Sequence, residues 1–259
     1  MKKVFLLLFV SNLFSIAAER SKAISPDQIA AVFKKYNATG TFALYDLNAG
    51  NFTIHNPSRA DSAAIPASTF KIFNSLVILE EGVVKDENET FKWDGKKKFL
   101  KNWESDHNLS SAIEHSAVWF YQECARRIGE ERMQFWIDSV GYGNRNISGG
   151  IDRFWLDGGI RITPKQQIEL LKKLYLNQLP FSQRSMDIVK EITIRKKKED
   201  YTLHAKTGWA IRFNPQIGWY VGWLEKDDNV FFFAMNIDIR NNEDGKKRRK
   251  ITFEIFGLD

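Results

Sequence analysis

The stretch PASTFKIFNSLVILE, residues 66–80, decides the organisation of this chain. After Pro66, which suits a first helical turn, the segment is apolar on all sides and predicts a buried helix. Ser68 and Lys71 are three residues apart, so they share one helix face and Lys71 can reach the Ser68 hydroxyl. Burial favours the neutral form of a lysine, which is a base or a nucleophile. The segment therefore indicates a serine nucleophile beside its base, although Ser-x-x-Lys alone arises about once by chance in a chain of this size.

Strand patterns lie on both sides of this helical segment. The predicted strands are 41–47, 51–55, 201–211, 216–225 and 230–239, and the predicted helices are 26–35, 70–79, 118–128, 132–140, 164–176, 182–192 and 247–256. An N-terminal hairpin and three consecutive C-terminal strands favour an α/β (α+β) fold: one antiparallel sheet flanked by helices, with an inserted helical subdomain. We expect a single domain, 23–259, with a sheet part at about 23–65 and 180–259 and a helical part at about 66–179.

The first residues have the pattern of an export signal. Lys2 and Lys3 precede an apolar run from Val4 to Phe14, and small residues follow at the spacing that signal peptidase recognises. The run is too short to span a bilayer comfortably. We therefore predict a cleaved signal peptide, residues 1–22, and a secreted, periplasmic protein that has no membrane association after cleavage. An N-terminal anchor helix is the alternative.

Composition and spacing exclude several classes of protein. The chain has 259 residues, 43% of them hydrophobic, a net charge of +6 and one cysteine, Cys124. This composition supports a sizeable core, and a lone cysteine excludes an intramolecular disulfide, a cysteine zinc finger and an iron–sulfur cluster. The four histidines lack metal-binding spacing. The basic runs 96–98 and 195–198 have no interleaved aromatic residues, so we interpret them as solvated loops and expect neither a metal nor a nucleic-acid partner.

A second motif, Lys206-Thr207-Gly208, lies inside a predicted strand. A glycine within a strand often marks the close approach of another backbone. A lysine and a hydroxyl beside such a gap can hold a carboxylate-bearing, peptide-like substrate along the strand edge. An edge strand with ordinary polar decoration is the alternative interpretation of this motif.

A third motif connects the first two. Ser116-Ala117-Val118 lies between Ser68-x-x-Lys71 and Lys206-Thr207-Gly208, which is the order found in penicillin-recognising serine enzymes. With Tyr142-Gly143-Asn144 and the segments 91–95 and 147–156, this set resembles the class D, or oxacillinase-type, serine β-lactamases over essentially the whole chain. The resemblance implies the serine β-lactamase and penicillin-binding-protein fold. It also implies hydrolysis of β-lactam antibiotics, small-molecule substrates, through a serine acyl-enzyme.

The resemblance further implies catalytic roles. Ser68 attacks the lactam carbonyl, and Lys71, carboxylated on Nζ by carbon dioxide, is the general base in acylation and deacylation. Trp155 donates its indole N–H to that carbamate, and Val118 keeps the flank of Lys71 apolar. Apart from the carbon dioxide or bicarbonate that carboxylates Lys71, no cofactor is expected.

The same resemblance implies how the substrate is held. Ser116 relays a proton to the lactam nitrogen, and Lys206 tunes that relay. The backbone N–H groups of Ser68 and Trp209 form the oxyanion hole. The predicted substrate-binding residues are Thr207, Gly208, Trp209, Arg249, Trp103, Leu156 and Tyr142. Of these, Thr207 and Arg249 hold the substrate carboxylate, while Trp103 and Leu156 line the pocket for the substrate side chain.

Several alternatives stay open at this point. Arg249 lies in the run Lys246-Lys247-Arg248-Arg249-Lys250, so Arg248 is a rival one position away, and Arg212 after the third motif is another. A penicillin-binding transpeptidase or carboxypeptidase, and a covalent β-lactam sensor domain, share much of the motif set. Both a monomer and a homodimer are compatible with the sequence.

Overall fold

The computed structural model describes residues 24–258. The predicted signal peptide, residues 1–22, lies outside the described residues. Among the helices of the described range, none has the length and apolar character that crossing a membrane requires.

Six antiparallel strands form one sheet at the centre of the described chain. The strands are β1 Gly40–Asp46, β2 Asn51–His55, β3 Ile194–Lys197, β4 Tyr201–Ala210, β5 Gln216–Lys226 and β6 Asn229–Ile239. Their order across the sheet is β2-β1-β6-β5-β4-β3. Pairing of β1 with β6 joins the N-terminal hairpin to the C-terminal strands, so the two ends of the chain build one sheet. The predicted antiparallel sheet is confirmed.

Helices cover both faces of this sheet. In the described range they are α1 Pro26–Lys35, α2 Pro57–Ala60, α3 Lys71–Glu80, α4 Leu109–His115, α5 Val118–Ile128, α6 Glu130–Val140, α7 Pro164–Tyr175, α8 Gln183–Ile192 and α9 Asn242–Phe256. Alternate residues of β6 point to opposite faces. Phe233 and Met235 join α1 and α9 in one core, whereas Phe232 and Ala234 join α3, α5 and α7 in the other. The chain between β2 and β3 supplies the predicted helical insertion.

Two predictions of secondary structure are wrong, one of a helix start and one of a loop. The last helix begins at Asn242 rather than at 247, because the Asn241 side chain accepts hydrogen bonds from the N–H groups of Glu243 and Asp244 and caps the helix there. The basic run 195–198, predicted as a loop, mostly forms the edge strand β3, Ile194–Lys197. A β-bulge leaves Arg195 without a pairing partner on β4.

Candidate active site

Ser68 and Lys71 lie together at the start of the buried central helix. Ser68 is in a 3-10 turn, Ala67–Phe70, and α3 begins at Lys71. The Lys71 Nζ donates a hydrogen bond of 2.9 Å to the Ser68 Oγ. Burial lowers the pKa of this fully buried lysine to about 7. A large fraction of Lys71 is therefore neutral near neutral pH and can act as a base.

The surroundings of Lys71 are aromatic rather than acidic. The Tyr121 ring lies 5.2 Å from its Nζ, and no described carboxylate forms an ion pair with it. Val118, the first residue of α5, is partly buried and packs against the same core. With no countercharge at hand, desolvation alone sets the pKa of the lysine.

A second serine–lysine pair joins the helical region to the sheet. Ser116 caps α4 in the left-handed conformation, with φ 55° and ψ 36°, at the junction with α5. The Lys206 Nζ donates to the Ser116 Oγ and, at 3.1 Å, to the Thr207 carbonyl. Burial lowers the pKa of Lys206 well below its ordinary value, and the charge of Lys71 lowers it further. The pair can therefore pass a proton in either direction.

The Lys206-Thr207-Gly208 edge of β4 faces the nucleophile turn. Register pairing with β3 ends at His204, so from Lys206 onward no described strand pairs with this edge. A Cβ on Gly208 would lie 2.8 Å from the Pro66 carbonyl oxygen and 3.0 Å from the Thr69 Cγ2. Only glycine permits this approach, which confirms the close backbone contact predicted from the motif. The free edge can accept an extended substrate beside Ser68.

Trp155 presents an unpartnered donor in this region. Its side chain is fully buried and stacks on Phe70, with ring centroids 5.4 Å apart and planes 18° from parallel. Its indole Nε1 has no hydrogen-bond partner in the described structure. A buried N–H without an acceptor is unfavourable by roughly 1–3 kcal/mol. An acceptor bound near Phe70 and Lys71 would remove that penalty.

Trp103 and Leu156 differ in exposure. Trp103 is partly exposed, and its indole Nε1 donates to the His115 carbonyl at 2.9 Å, one residue before Ser116. This bond places Trp103 next to the second serine. Leu156 is 7% exposed, so it offers the site only a small apolar surface.

Tyr142, predicted from the motif to bind substrate, lies in the core beside the nucleophile turn. It is 2% exposed and packs edge-on against Phe70, with ring centroids 5.3 Å apart, and against Phe73. Burial raises the pKa of its phenol. The side chain therefore supports the nucleophile turn from the core.

The structure reverses the predicted order of the two neighbouring arginines. Arg248 is 8% exposed; its Nη1 donates to the carbonyls of Gly208 and Trp219, and its Nε donates to the Gly245 carbonyl at 2.7 Å. Arg249 is exposed and lines a groove between α1 and α9, away from β4. Consecutive helical residues diverge by about 100°, so only one of them faces the sheet. The sequence analysis chose Arg249, but the structure places Arg248, its rival, at the strand motif.

The third candidate arginine lies at the rim of the site. Arg212, in the turn between β4 and β5, forms an ion pair of 3.3 Å with Asp157, two residues after Trp155. Asp157 also pairs with Arg153 at 2.6 Å. Arg212 therefore links the β4–β5 turn to the loop that carries Trp155, and its charge is already partly compensated.

Arg195 also belongs to this region, although its place in a basic run did not predict it. Because it is the bulged residue of β3, its side chain turns towards β4, where Nε donates to the Ala205 carbonyl at 3.1 Å. Its Nη2 is buried without a partner. The guanidinium lies behind Lys206 and contributes to the lowered pKa of that lysine. No signal in the sequence distinguishes it from the exposed lysines that follow.

Comparisons with known proteins agree with this arrangement. The family described as "Penicillin binding protein transpeptidase domain" matches residues 29–257. Beta-lactamase OXA-48 of Klebsiella pneumoniae is 45% identical over 253 residues, 98% of this chain and 94% of that protein. The class D β-lactamase YbXI from Nostoc has a TM-score of 0.87 at 47% identity, covering 89% of this chain and 99% of that one. FUS-1 (OXA-85) from Fusobacterium nucleatum has a TM-score of 0.88 at 42% identity, with 90% and 97% covered.

Proposed function

The chain belongs to the class D β-lactamases and hydrolyses β-lactams; we propose that it does so through an acyl-enzyme on Ser68, with N-carboxylated Lys71 as the general base of both steps. One observation carries this proposal. The fully buried Lys71 Nζ, with its pKa lowered to about 7, lies 2.9 Å from the Ser68 Oγ.

The residues around Lys71 fit a carbamate. Only a neutral amine reacts with carbon dioxide, and burial supplies that form without a bound anion. The carbamate would supply a carboxylate-type base on a long side chain. Trp155 would hold it, because the indole N–H is buried and has no acceptor among the described residues. Val118 would keep water from the same flank.

In acylation, Lys71 takes the proton of Ser68 as the hydroxyl attacks the lactam carbonyl. The backbone N–H groups of Ser68 and Trp209 stabilise the oxyanion. Gly208 supports this assignment, because its lack of a side chain lets β4 approach the turn that carries Ser68. Ser116 then delivers a proton to the departing lactam nitrogen, and Lys206 resupplies Ser116 through their hydrogen bond.

The substrate is oriented along the free edge of β4. Thr207 and Arg248 hold the carboxylate, since Arg248 already contacts the Gly208 carbonyl and its Nη2 has no assigned partner in the described chain. A guanidinium offers two parallel donors to a carboxylate. Trp103 and Leu156 line the pocket for the substrate side chain.

Deacylation uses the same base. Lys71 activates a water molecule that attacks the acyl-Ser68 ester and frees the enzyme. The loop before α7 carries Trp155 at this position rather than a glutamate that could act as a base. Lys71 is therefore the base that the site provides. Turnover therefore depends on the protonation and carboxylation of one buried lysine.

The test is ¹³C NMR of the enzyme equilibrated with ¹³C-bicarbonate, together with mass spectrometry of the acylated protein. We expect a carbamate resonance in the wild type that is absent in Lys71→Ala, and a persistent acyl group on Ser68 in any Lys71→Ala that reacts. Ser68→Ala should take up no β-lactam. Normal turnover in carbon-dioxide-free buffer without a carbamate signal would show that unmodified Lys71 is the base. Covalent labelling of Ser68→Ala would refute the assignment of the nucleophile.

Residues 1–22 complete the proposal as a cleaved export signal, which would place the enzyme in the periplasm. N-terminal sequencing of the protein recovered from the periplasmic fraction tests this. A mature protein that retains Met1 would contradict it.

A further inference from the structure

His107 is a buried histidine whose two ring nitrogens are both used. It is 2% exposed, its Nε2 lies 3.1 Å from the Asn102 carbonyl oxygen, and its Nδ1 lies 3.0 Å from the Ser111 Oγ. A carbonyl oxygen only accepts, so Nε2 carries the hydrogen. In the neutral ring Nδ1 then accepts from the Ser111 hydroxyl, whose other acceptor, the Asn108 carbonyl oxygen, is farther away at 3.3 Å. Burial lowers the pKa of His107, which favours this neutral tautomer.

The backbone of His107 is fixed as firmly as its ring. Its N–H donates to the Phe91 carbonyl at 3.1 Å, and its own carbonyl accepts from the Phe91 N–H at 2.8 Å. Ser111, which holds the other ring nitrogen, belongs to the capping box that starts α4. The imidazole therefore has a fixed position and connects the start of α4 to the segment that precedes it.

That segment carries Trp103. The carbonyl immediately before Trp103, that of Asn102, accepts from His107. The carbonyl of Trp103 itself accepts from the Trp119 indole at 2.9 Å. The Trp103 indole then donates to the His115 carbonyl, next to Ser116. The bonds from His107 and Trp119 therefore fix the main chain before and after the Trp103 side chain.

We propose that His107 is a positioning residue that sets the substrate side-chain specificity of the enzyme by fixing Trp103 beside Ser116. It touches neither the substrate nor the reacting atoms. The inference rests on the proposed function to this extent: Trp103 must line the pocket for the substrate side chain. Without the bond to Asn102, the main chain before Trp103 loses this restraint and the indole is held only by its own bond to the His115 carbonyl. A large aromatic side chain on the substrate then loses part of a fixed contact surface.

A matched pair of substitutions separates this bond from the other contacts of the ring. The terminal amide of His107→Gln reaches the Nε2 position and can donate to the Asn102 carbonyl. The shorter amide of His107→Asn occupies the Nδ1 position beside Ser111. It cannot reach the Asn102 carbonyl. The two substrates are benzylpenicillin, with an aryl side chain, and 6-aminopenicillanic acid, the same nucleus without it.

We expect His107→Asn to raise KM for benzylpenicillin by up to about tenfold, the limit reached when the whole contribution of one buried hydrogen bond is lost from substrate binding, with kcat changed less than about twofold. Its kcat/KM for 6-aminopenicillanic acid should match the wild type, and His107→Gln should resemble the wild type on both substrates. His107→Met, which fills a similar volume without a donor, should behave like His107→Asn and replaces it if that variant does not fold.

The reference is Trp103→Ala. If Trp103→Ala loses discrimination between the two substrates while His107→Asn and His107→Met retain it, the positioning role of His107 is refuted. If Trp103→Ala also retains discrimination, the pocket assignment within the proposed function is wrong, and the inference is overturned with it. A loss of kcat/KM that is equal on both substrates would show that His107 only stabilises the fold.

Discussion

Arg248→Ala and Arg249→Ala should differ sharply in their effect on turnover. Burial lowers the pKa of Arg248 to about 10, so the guanidinium is still charged at neutral pH. It is held against β4 and β5 by the carbonyls of Gly208 and Trp219, respectively. Removing one partner of a desolvated charge pair weakens binding by about 2–5 kcal/mol. At about 1.36 kcal/mol per tenfold, Arg248→Ala should reduce kcat/KM by roughly 30-fold to 5000-fold.

The assay is steady-state hydrolysis of a chromogenic cephalosporin and of its carboxylate methyl ester. Arg248→Ala should lose activity on the free acid and little on the ester, because the ester has no charge for Arg248 to hold. Arg248→Lys should recover only part of the loss, since it keeps the charge but lacks the planar fork. Arg249→Ala, whose side chain is exposed on the groove beside α1, is the matched control and should resemble the wild type.

The ester comparison also guards against a structural explanation. Arg248→Ala leaves the Gly208 and Trp219 carbonyls without this donor, which destabilises the fold by about 1–3 kcal/mol. Such damage would lower activity on both substrates alike. An equal loss on acid and ester, or a larger loss in Arg249→Ala than in Arg248→Ala, would refute the carboxylate role of Arg248.

Three more predictions follow from the same geometry. As pH falls below about 7, Trp155→Phe should lose activity more steeply than the wild type, because the carbamate loses its indole donor. Added bicarbonate should restore the activity of this variant, and no response to bicarbonate in a turnover assay would contradict the prediction. Gly208→Ala places a Cβ 2.8 Å from the Pro66 carbonyl oxygen, so acylation measured by mass spectrometry should slow at least about tenfold, and an unchanged rate would show that β4 moves freely. Burial lowers the pKa of Lys71 from 10.5 to about 7, so unfolding takes up a proton at pH values between these two, and the free energy of unfolding rises with pH across that window. In carbon-dioxide-free buffer, urea unfolding of Lys71→Met should show a slope of unfolding free energy against pH that is smaller by about one proton. An unchanged slope would assign the proton to another group.

Residue periodicity and turn chemistry predicted most of the strands and helices of this molecule. The capping box at Thr163 and Gln166 marked the start of α7, and both of its hydrogen bonds are present. The glycine of the strand motif signalled a close backbone approach that the structure contains at Pro66. These signals are local, since each depends on a few neighbouring residues whose geometry is fixed by sterics or by one hydrogen bond.

Features that depend on distant parts of the chain were not predictable. The choice between Arg248 and Arg249 depends on which face of α9 packs against the distant strand residues Gly208 and Trp219. A run of five basic residues carries no periodic pattern that reveals this face. Arg195 likewise turns inward only because a β-bulge forms when β3 pairs with β4. Tyr142 lies in a recognised motif, and only packing shows that it faces the core.

The charges around the two lysines fit the proposed action of this site on an anionic substrate. Lys71, Lys206, Arg195 and Arg248 are buried or largely buried cations, and in the described chain none of them forms an ion pair with a carboxylate. Burial lowers the pKa of both lysines, and the charges of Lys71, Arg195 and Arg248 lower the pKa of Lys206 further, so each lysine is readily neutralised. A carbamate on Lys71 and the carboxylate of a bound β-lactam would each add one negative charge to a region that lacks them. Binding of the substrate and modification of the base would therefore relieve the same electrostatic imbalance, and we expect each to strengthen the other.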